Sequence, residues 1–223
     1  MIDRELCLTG DGSYTFYVPS LNEHYHSVNG AIGESLHVYI QAGLMPLLKH
    51  HTSINILEIG LGTALNLVLT EAFTRDNVGV YYTAIEPYPL LVEEVKGLNY
   101  SQIYPDISKE ILQQTHIIPF DNQFHELRPH FKLKKNHDFL QSFEFTNDLY
   151  TLVYFDAFAP DVQSELWGEK VFENIYKSMK SGGIVCTYSA KGSVRRNMES
   201  VGFHVERLPG FAGKREMLRA QKI

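Results

Sequence analysis

Residues Ile54–Thr63 read INILEIGLGT, an apolar run that ends in two closely spaced glycines. The run predicts a buried strand, the glycines predict a tight turn, and the residues from Ala64 to Phe73 predict a helix. Strand, glycine turn and helix in this order present backbone N–H groups to a nucleotide-like ligand in α/β proteins. The stretch therefore predicts both the fold and the place of a cofactor.

The rest of the chain alternates strands and helices. The strand-like runs are Tyr14–Val18, Val80–Pro87, Phe131–Lys135, Leu149–Asp156, Ile184–Tyr188, Phe203–Leu208 and Arg215–Ala220. The helix-like stretches are Glu34–Gly43, Pro89–Leu98, Ser193–Ser200 and Glu165–Lys180, the last stopping at Gly182 or Gly183. This pattern predicts an α/β, Rossmann-like, mostly parallel sheet with a terminal antiparallel hairpin. Residues 1–50 are predicted to be a small N-terminal extension packing on a core domain, residues 51–223.

Composition excludes several classes of protein. With 223 residues, 44% hydrophobic and 21% charged, the chain should fold into a domain with a sizeable core. No stretch approaches the roughly 20 apolar residues of a membrane span, and the first residues do not resemble a signal peptide. The two cysteines, Cys7 and Cys186, do not suggest a disulfide framework. We therefore expect a cytoplasmic protein without a membrane partner.

Charge is distributed unevenly along the chain. The net charge of −6 argues against indiscriminate coating of nucleic acid, which depends on neutralised phosphates. Residues 191–223 nevertheless carry eight basic and three acidic residues. This basic end is either an ordinary solvated face or a surface for a specific polyanionic substrate.

The glycine turn favours S-adenosylmethionine over a dinucleotide. Leu65 occupies the position of the third glycine of a dinucleotide-binding turn. Glu86 ends the next strand, where a carboxylate can accept both hydroxyls of a ribose. A short turn with a ribose acid suits S-adenosylmethionine, which has no pyrophosphate. The alternative is a Rossmann-like turn that binds nothing.

A second acid ends a later strand, in the run Asp156-Ala157-Phe158-Ala159-Pro160. A strand-end carboxylate followed by an aromatic residue and a proline resembles the arrangement in amino-group methyltransferases. Methyl displacement needs a neutral amine in line with the methyl group, so positioning supplies most of the catalysis. Alternatively, Asp156 only caps a turn and Phe158 belongs to the core.

Other catalytic motifs are weak or missing. The histidines, among them His24, His26 and His137, are too scattered to predict a metal site. The sequence has neither a Gly-x-Ser-x-Gly elbow nor a Gly-Lys-Ser/Thr loop, which disfavours hydrolases and P-loop proteins.

Several motifs together resemble one known family. The motifs are Leu57–Asn66, Asp156–Pro160 with Leu166-Trp167, Gly33–Ile40, and the ending Gly192–Arg196, Gly202-Phe203 and Gly210–Met217. They resemble the MnmC-like methyltransferases, the methyltransferase domains of bacterial tRNA wobble-uridine modification proteins. Ala64 and Ala157 stand where that family usually has glycine. Cofactor binding is expected to survive if the backbone keeps φ below zero at both places.

The resemblance implies a class I methyltransferase fold with a seven-stranded sheet. It also implies N-methylation of a 5-aminomethyl group on the wobble uridine, or 2-thiouridine, of tRNA, with S-adenosylmethionine as donor. In many family members a flavin-dependent oxidase domain prepares this substrate. We expect neither FAD nor a metal here, and the aminomethyl substrate should come from a separate oxidase or other tRNA-modification enzyme.

The strand-end positions then suggest a role for each candidate residue. The cofactor is predicted to contact Glu58, Gly60, Gly62, Thr63, Asn66, Glu86 (ribose), and Asp138 and Phe139 (adenine). Asp156 is the predicted catalytic residue. The tRNA is predicted to contact Phe158 and Pro160 near the uracil, and Arg195, Arg196, Lys214 and Arg215 at anticodon-loop phosphates. The alternatives are a methyltransferase acting on another RNA or a small-molecule amine, and a non-catalytic Rossmann-like binding module.

Overall fold

The computed structural model describes residues 2–74 and 78–223. The described strands are β1 (Glu5–Leu8), β2 (Tyr14–Val18), β3 (Glu23–His24), β4 (Ser53–Ile59), β5 (Gly79–Ile85), β6 (Phe124–Arg128), β7 (Phe131–Asn136), β8 (Tyr150–Phe155), β9 (Met179–Thr187), β10 (Phe203–Pro209) and β11 (Glu216–Lys222). The α-helices are α1 (Ala31–Ser35), α2 (Met45–Leu48), α3 (Leu65–Thr74), α4 (Val92–Val95), α5 (Tyr100–Ile103), α6 (Lys109–Ile117), α7 (Glu169–Ser178) and α8 (Gly192–Ser200). A π-helical segment, Leu36–Leu44, joins α1 to α2, and a 3-10 helix covers Ser164–Trp167.

The described part of the chain forms a mixed central sheet of eight strands in the order β10-β11-β9-β8-β4-β5-β7-β6. Pairs β4/β5, β4/β8, β5/β7 and β8/β9 are parallel, whereas β10 and β11 form the expected antiparallel hairpin. In this order β5 and β7 lie on one side of β4, whereas β8 and β9 lie on the other. The carboxyl ends of β4 and β8 therefore flank the point where strand order reverses. The predicted Rossmann-like fold is confirmed.

Four local predictions were wrong. The sheet has an eighth strand because β6, for which the sequence predicts no element, pairs antiparallel with β7 at the edge. Gly182 and Gly183 do not end a helix, since α7 stops at Ser178 and both glycines lie within β9. The helix expected over Pro89–Leu98 shrinks to α4. Helical structure also continues through Gly43 instead of ending there. Glycine at this position allows the helix to pack closely on the sheet, because a Cβ would lie 3.0 Å from the Cys186 sulfur.

The first 50 residues pack on this core in two parts. Strands β1, β2 and β3 form a small antiparallel sheet of their own. The π-helical segment lies against the central sheet, where the Tyr39 and Tyr154 rings meet edge to face with centroids 5.3 Å apart. A domain boundary at residue 50 stays a prediction.

None of the helices in residues 2–74 and 78–223 combines the length and the apolar character required to cross a bilayer.

Candidate active site

The candidate site begins where β4 and β8 end side by side. The Gly60 N–H donates to the Ile85 carbonyl at 3.0 Å, and the Asp156 N–H donates to the Ile59 carbonyl at 3.0 Å. Gly60 has φ +87°, and a Cβ at this position would lie 2.5 Å from the Asp156 carbonyl oxygen. Only glycine fits there, because both the left-handed backbone and the adjacent strand exclude a side chain. The glycine turn and Asp156 are thereby brought together.

A cavity of about 420 Å³ lies over this end of the sheet. Of the predicted cofactor residues, those on its wall are Gly60, Gly62, Thr63, Glu86 and Phe139. Of the predicted acceptor residues, those on its wall are Asp156, Phe158 and Lys214. Predicted residues as far apart in the chain as Gly60 and Lys214 therefore share one cavity.

Glu86 lies on the side of the cavity where the cofactor is predicted to bind. Its carboxylate accepts a hydrogen bond from the Gly62 N–H at 2.9 Å and another from the Tyr88 N–H at 2.7 Å. Burial raises the pKa of Glu86, and these two N–H groups oppose the rise. The Tyr88 and Phe139 rings meet edge to face beside it, with centroids 5.9 Å apart. A fixed carboxylate next to bare glycine backbone and exposed rings suits a ribose and an adenine.

Asp156 is held on both sides of its carboxylate. The Tyr39 hydroxyl donates to Oδ1 at 2.7 Å, and the Asn66 amide donates to Oδ2 at 2.8 Å. Burial raises the pKa of Asp156 to about 7; Glu34 adds to the rise, while Tyr39, Asn66 and Lys214 oppose it. A carboxylate that titrates near neutral pH is suited to accepting a proton from an amine.

Aromatic rings and one cation surround Asp156. Phe158 meets Tyr25 edge to face, with centroids 5.3 Å apart. The Lys214 Nζ donates to the Glu34 carboxylate at 2.7 Å and lies 4.9 Å above the centre of the Tyr188 ring. This end of the cavity can take a flat ring and carries one lysine, held by a buried acid.

Two predicted cofactor residues lie behind the wall. Glu58 is fully buried, and burial raises its pKa well above the usual range. Asn66 is 2% exposed and connects Glu58 to Asp156. Neither side chain lines the cavity, because α3 and β4 turn both toward the interior.

Five further predicted residues also lie away from the cavity wall: Asp138, Pro160, Arg195, Arg196 and Arg215. Asp138 is exposed just beyond β7, although its neighbour Phe139 does reach the wall. The Arg195 side chain turns along α8 to pair with Glu199 at 2.6 Å. Arg215 is 92% exposed and lies 3.7 Å from Glu216.

The sequence analysis missed the wall that the N-terminal residues build. Tyr25, His26 and Glu34 line the cavity, and Tyr39 holds Asp156 from behind. None of these residues ends a strand of the parallel sheet, so the strand-end rule does not find them. The run from Glu23 to His26 was the available signal, since its histidines are too scattered for a metal site and are better suited to structural or substrate-contacting roles.

Ala64, where the family usually has glycine, does not meet the condition of negative φ. Its φ is +63° and its side chain is fully buried, so an alanine adopts the left-handed conformation here. Leu61 and Val68 hold it in place, since the Ala64 N–H donates to Leu61 at 2.8 Å and its carbonyl accepts from Val68 at 3.0 Å. Ala157, by contrast, is not among the residues with positive φ.

We expect Ala64→Gly to change the free energy of unfolding by less than about 1 kcal/mol. Relief of left-handed strain, about 1 kcal/mol, offsets the lost burial of one methyl group, about 0.8 kcal/mol. Ala64→Val, whose β-branch is incompatible with positive φ, should lose about 3 kcal/mol or more. Urea unfolding of both variants measures the difference, and equal losses would contradict the strained backbone.

Arg4 links the N-terminal residues to the segment that follows β5, next to Glu86. Its side chain is 3% exposed and donates to the Tyr25 hydroxyl at 2.8 Å, to Glu94 at 3.2 Å and to the Tyr88 carbonyl at 2.5 Å. Ile2, two residues earlier, lines the cavity. Arg4 thus joins the N-terminal sheet to the loop after β5.

Arg4→Ala should weaken binding of S-adenosylhomocysteine about 3- to 10-fold and lower the free energy of unfolding by about 1–2 kcal/mol. Arg4→Lys should not restore either property, because an ammonium cannot reach three partners in a planar fork. Calorimetry and urea unfolding measure the two effects. Lys96→Ala, which breaks an exposed 2.9 Å pair with Glu93, is the control and should change stability by less than about 0.5 kcal/mol.

The described residues contain no group of three or more histidine, cysteine, aspartate or glutamate side chains placed to hold a metal ion.

This sheet order, with a glycine turn and a second acid at the switch point, defines a Rossmann-like class I methyltransferase fold. Residues 99–223 match the profile of the S-adenosyl-L-methionine-dependent methyltransferase family. Because the match covers more than half of the chain, the protein belongs to this family, and its methyl donor is S-adenosylmethionine.

Relatives and solved structures agree with this assignment. The chain is 30% identical over 222 residues to the tRNA 5-methylaminomethyl-2-thiouridine biosynthesis bifunctional protein MnmC of Leptospira interrogans, covering 95% of this chain and 34% of that protein. The protein of the same name from Burkholderia thailandensis is 26% identical, with coverage of 98% and 35%. The chain thus spans about a third of the curated relatives it matches.

The fold itself has a solved counterpart. The crystal structure of MNMC2 from Aquifex aeolicus superposes with a TM-score of 0.81 at 24% identity, covering 99% of this chain and 71% of that one. Spermidine synthase from Thermotoga maritima superposes with a TM-score of 0.55 at 13% identity, over 98% and 72% of the two chains. Both likenesses show the shared fold.

Proposed function

We propose that this protein methylates the aminomethyl nitrogen of 5-aminomethyluridine, or its 2-thio form, at the wobble position of tRNA. The observation that carries the proposal is Asp156, a carboxylate titrating near neutral pH beside the glycine turn of a methyltransferase, in a cavity with aromatic walls. The names of the matched relatives, which refer to biosynthesis of 5-methylaminomethyl-2-thiouridine in tRNA, support the choice of acceptor.

The residues on the cofactor side fit S-adenosylmethionine. Glu86 would accept hydrogen bonds from the ribose hydroxyls, and the Gly60 to Gly62 backbone would lie along the methionyl part. Phe139, with Tyr88, would contact the adenine. The bound cofactor supplies an electrophilic methyl group on a sulfonium.

On the acceptor side, Asp156 accepts a hydrogen bond from the aminomethyl nitrogen and turns its lone pair toward the methyl group. It then receives the proton that the methylated nitrogen loses. Phe158 and Tyr25 pack on the uracil ring and fix the angle of approach. Positioning of this kind supplies most of the catalysis, because the reaction is a direct displacement.

The acceptor must also be held as a polyanion. Lys214 stands at the cavity, and Arg195, Arg196 and Arg215 lie on the C-terminal surface outside it, where they would contact anticodon-loop phosphates. A separate oxidase or another tRNA-modification enzyme would supply the aminomethyl group. A reaction on tRNA would take place in the cytoplasm, and the lack of a membrane-spanning helix in the described residues is compatible with that.

The test is methyl transfer from labelled S-adenosylmethionine to tRNA that carries 5-aminomethyl-2-thiouridine, followed by mass spectrometry of the nucleosides. We expect one methyl group on the wobble nucleoside and none on tRNA with unmodified uridine. Affinity for tRNA should fall steeply with salt, with a slope that becomes shallower by about 1 in Lys214→Ala.

The two other candidate functions give different results. Binding of S-adenosylhomocysteine without methyl transfer to this tRNA would indicate another RNA or a small-molecule amine as acceptor, and a shallow salt dependence would favour the amine. No heat on titration with S-adenosylhomocysteine would indicate a non-catalytic binding module.

A further inference from the structure

The Asn66 amide joins two buried carboxyl groups. Its Nδ2 donates to Asp156 Oδ2 at 2.8 Å and to Glu58 Oε1 at 3.0 Å. The amide nitrogen is the side chain's only donor, so it can serve both acceptors only in this orientation. Among the described residues, Asn66 Oδ1 has no hydrogen-bond partner. The two carboxyl groups therefore determine how the Asn66 side chain is turned.

We propose that Asn66 is a positioning residue for Asp156, and that Glu58 anchors Asn66 from behind. The inference rests on the proposed function for the role of Asp156, and it reassigns two residues that the sequence had suggested as cofactor contacts. Both side chains lie outside the cavity wall, at 2% and 0% exposure, whereas Asp156 faces the cavity. Hydrogen bonds thus connect Glu58 in the interior, through Asn66, to Asp156 at the cavity wall.

The second donor on Asp156 explains why Asn66 is needed. The Tyr39 hydroxyl, 2.7 Å from Oδ1, would by itself fix only one of the two carboxylate oxygens. With Asn66 on Oδ2, the plane of the carboxylate is set at two points on opposite oxygens. A fixed plane keeps one lone-pair direction toward the cavity, as an in-line displacement requires.

Glu58 is suited to anchoring Asn66 without placing a second negative charge near the Asp156 carboxylate. Burial raises the pKa of Glu58 well above its usual range, which favours the neutral form of this acid. A neutral acid still accepts the hydrogen bond of Asn66 through Oε1 but adds no second negative charge beside Asp156. Two ionised carboxylates on one amide would oppose each other.

The titration of Asp156 depends on several other groups packed around it. These groups come from α1, the π-helical segment, β4, β5, the residue after β9 and the turn before β11: Glu34, Tyr39, Glu58, Tyr82, Tyr188 and Lys214. The variants below leave all of them except Glu58 unchanged.

The experiment measures the side-chain carboxyl ¹³C titration of Asp156, assigned by its loss in Asp156→Asn. In Asn66→Ala we expect the midpoint to rise by about one pH unit, since a donor to the ionised form is lost. Methyl transfer to tRNA at saturating substrates should fall about 10- to 100-fold, with affinity for S-adenosylhomocysteine within about 2-fold of wild type. Glu58→Ala should shift the midpoint in the same direction, and Glu58→Gln, which keeps an acceptor for Asn66, should shift it less.

Thr74→Ala is the matched control. Thr74 is a buried polar residue of the same helix whose hydroxyl bonds to the Thr70 carbonyl at 2.8 Å, away from Asp156. It should leave the Asp156 midpoint in place. Should Asn66→Ala fail to fold, Asn66→Ser is measured instead, because its shorter side chain cannot reach both carboxyl groups.

The proposal is overturned if the variant at Asn66 leaves the Asp156 midpoint unmoved. If the same variant also weakens S-adenosylhomocysteine binding 10-fold or more, Asn66 is a cofactor contact instead. The titration and the calorimetry need no methyl acceptor, so a wild-type protein that failed to methylate tRNA would count against the proposed function alone.

Discussion

Asp156→Ala is expected to lower kcat for methyl transfer about 10³-fold. The alanine can neither orient the amine lone pair nor accept its proton, and general-base catalysis typically contributes about 10²- to 10⁴-fold. Affinity for S-adenosylhomocysteine should stay within about 3-fold, because the contacts assigned to Glu86 and the glycine turn remain. Single-turnover rates with modified tRNA and calorimetry measure the two quantities.

A matched control separates chemistry from packing. Thr187→Ala removes a buried hydroxyl at the end of β9, the strand beside β8, and should leave kcat within about 3-fold. An Asp156→Ala variant that bound the cofactor normally and kept the full rate would remove Asp156 from the mechanism.

The pH dependence of kcat/KM should report the ionisation of Asp156. The pKa of Asp156 in the folded protein is raised to about 7, so the ionised form that accepts a proton is lost as pH falls through 7. We expect the rate to fall about 10-fold per pH unit below that value. The substrate amine also gains a proton at low pH. Asp156→Asn provides the control, because its pH–rate profile should show only the decline caused by protonation of the amine.

The free energy of unfolding should depend on pH in the opposite direction. Folding raises the pKa of Asp156 above its unfolded value of 3.8, so the folded state binds the proton more tightly. This contribution is complete below about pH 4 and is lost as pH rises to about 7. In Asp156→Asn the unfolding free energy should lose that decline, which urea unfolding across the same range measures.

Gly60→Ala is expected to destabilise the fold by about 3 kcal/mol or more and to abolish measurable binding of S-adenosylhomocysteine. The new Cβ would lie 2.5 Å from the Asp156 carbonyl oxygen, and φ at this position is +87°. Left-handed strain contributes about 1–2 kcal/mol, and forcing β4 and β8 apart adds about 1–3 kcal/mol. Urea unfolding and calorimetry measure both losses.

Gly213→Ala isolates the strain from the clash. Gly213 has φ +85°, almost the same as Gly60, but a Cβ there meets nothing within 4 Å. Gly213→Ala should lower the free energy of unfolding by about 1 kcal/mol, and S-adenosylhomocysteine should still bind. If both variants lost equal stability, the close approach of the two strand ends would not be what requires glycine at position 60.

Local pattern was sufficient for the framework of the site. The period of apolar residues and the glycine turn after β4 predicted a Rossmann-like sheet, and strand-end acids predicted Glu86 and Asp156. Those predictions depend on residues adjacent in the chain, whose spacing already specifies which side of a strand or turn they occupy. The same reasoning failed for Gly182 and Gly183, because pairing with β8 draws Met179 onward into a strand despite two glycines.

The walls and supports of the site required the tertiary structure. Tyr25 and Glu34 reach the cavity from the N-terminal part, and Tyr39 contacts Asp156 from behind. No local pattern shows which face of the core that part covers. Glu58 and Asn66 lie in the motif expected to touch the cofactor, yet β4 and α3 direct both side chains inward, where Asn66 donates to Glu58 and to Asp156.

The sequence by itself determined the class of fold, the glycine turn after β4 and the carboxylate at the end of β8, since each follows from short-range spacing. Only the tertiary structure decided which side chains hold that carboxylate and how far it is buried, and burial raises its pKa to about 7. The reason is physical: burial and hydrogen bonding depend on contacts between segments distant in the chain, and long-range packing alone brings Tyr39 and Asn66 to Asp156.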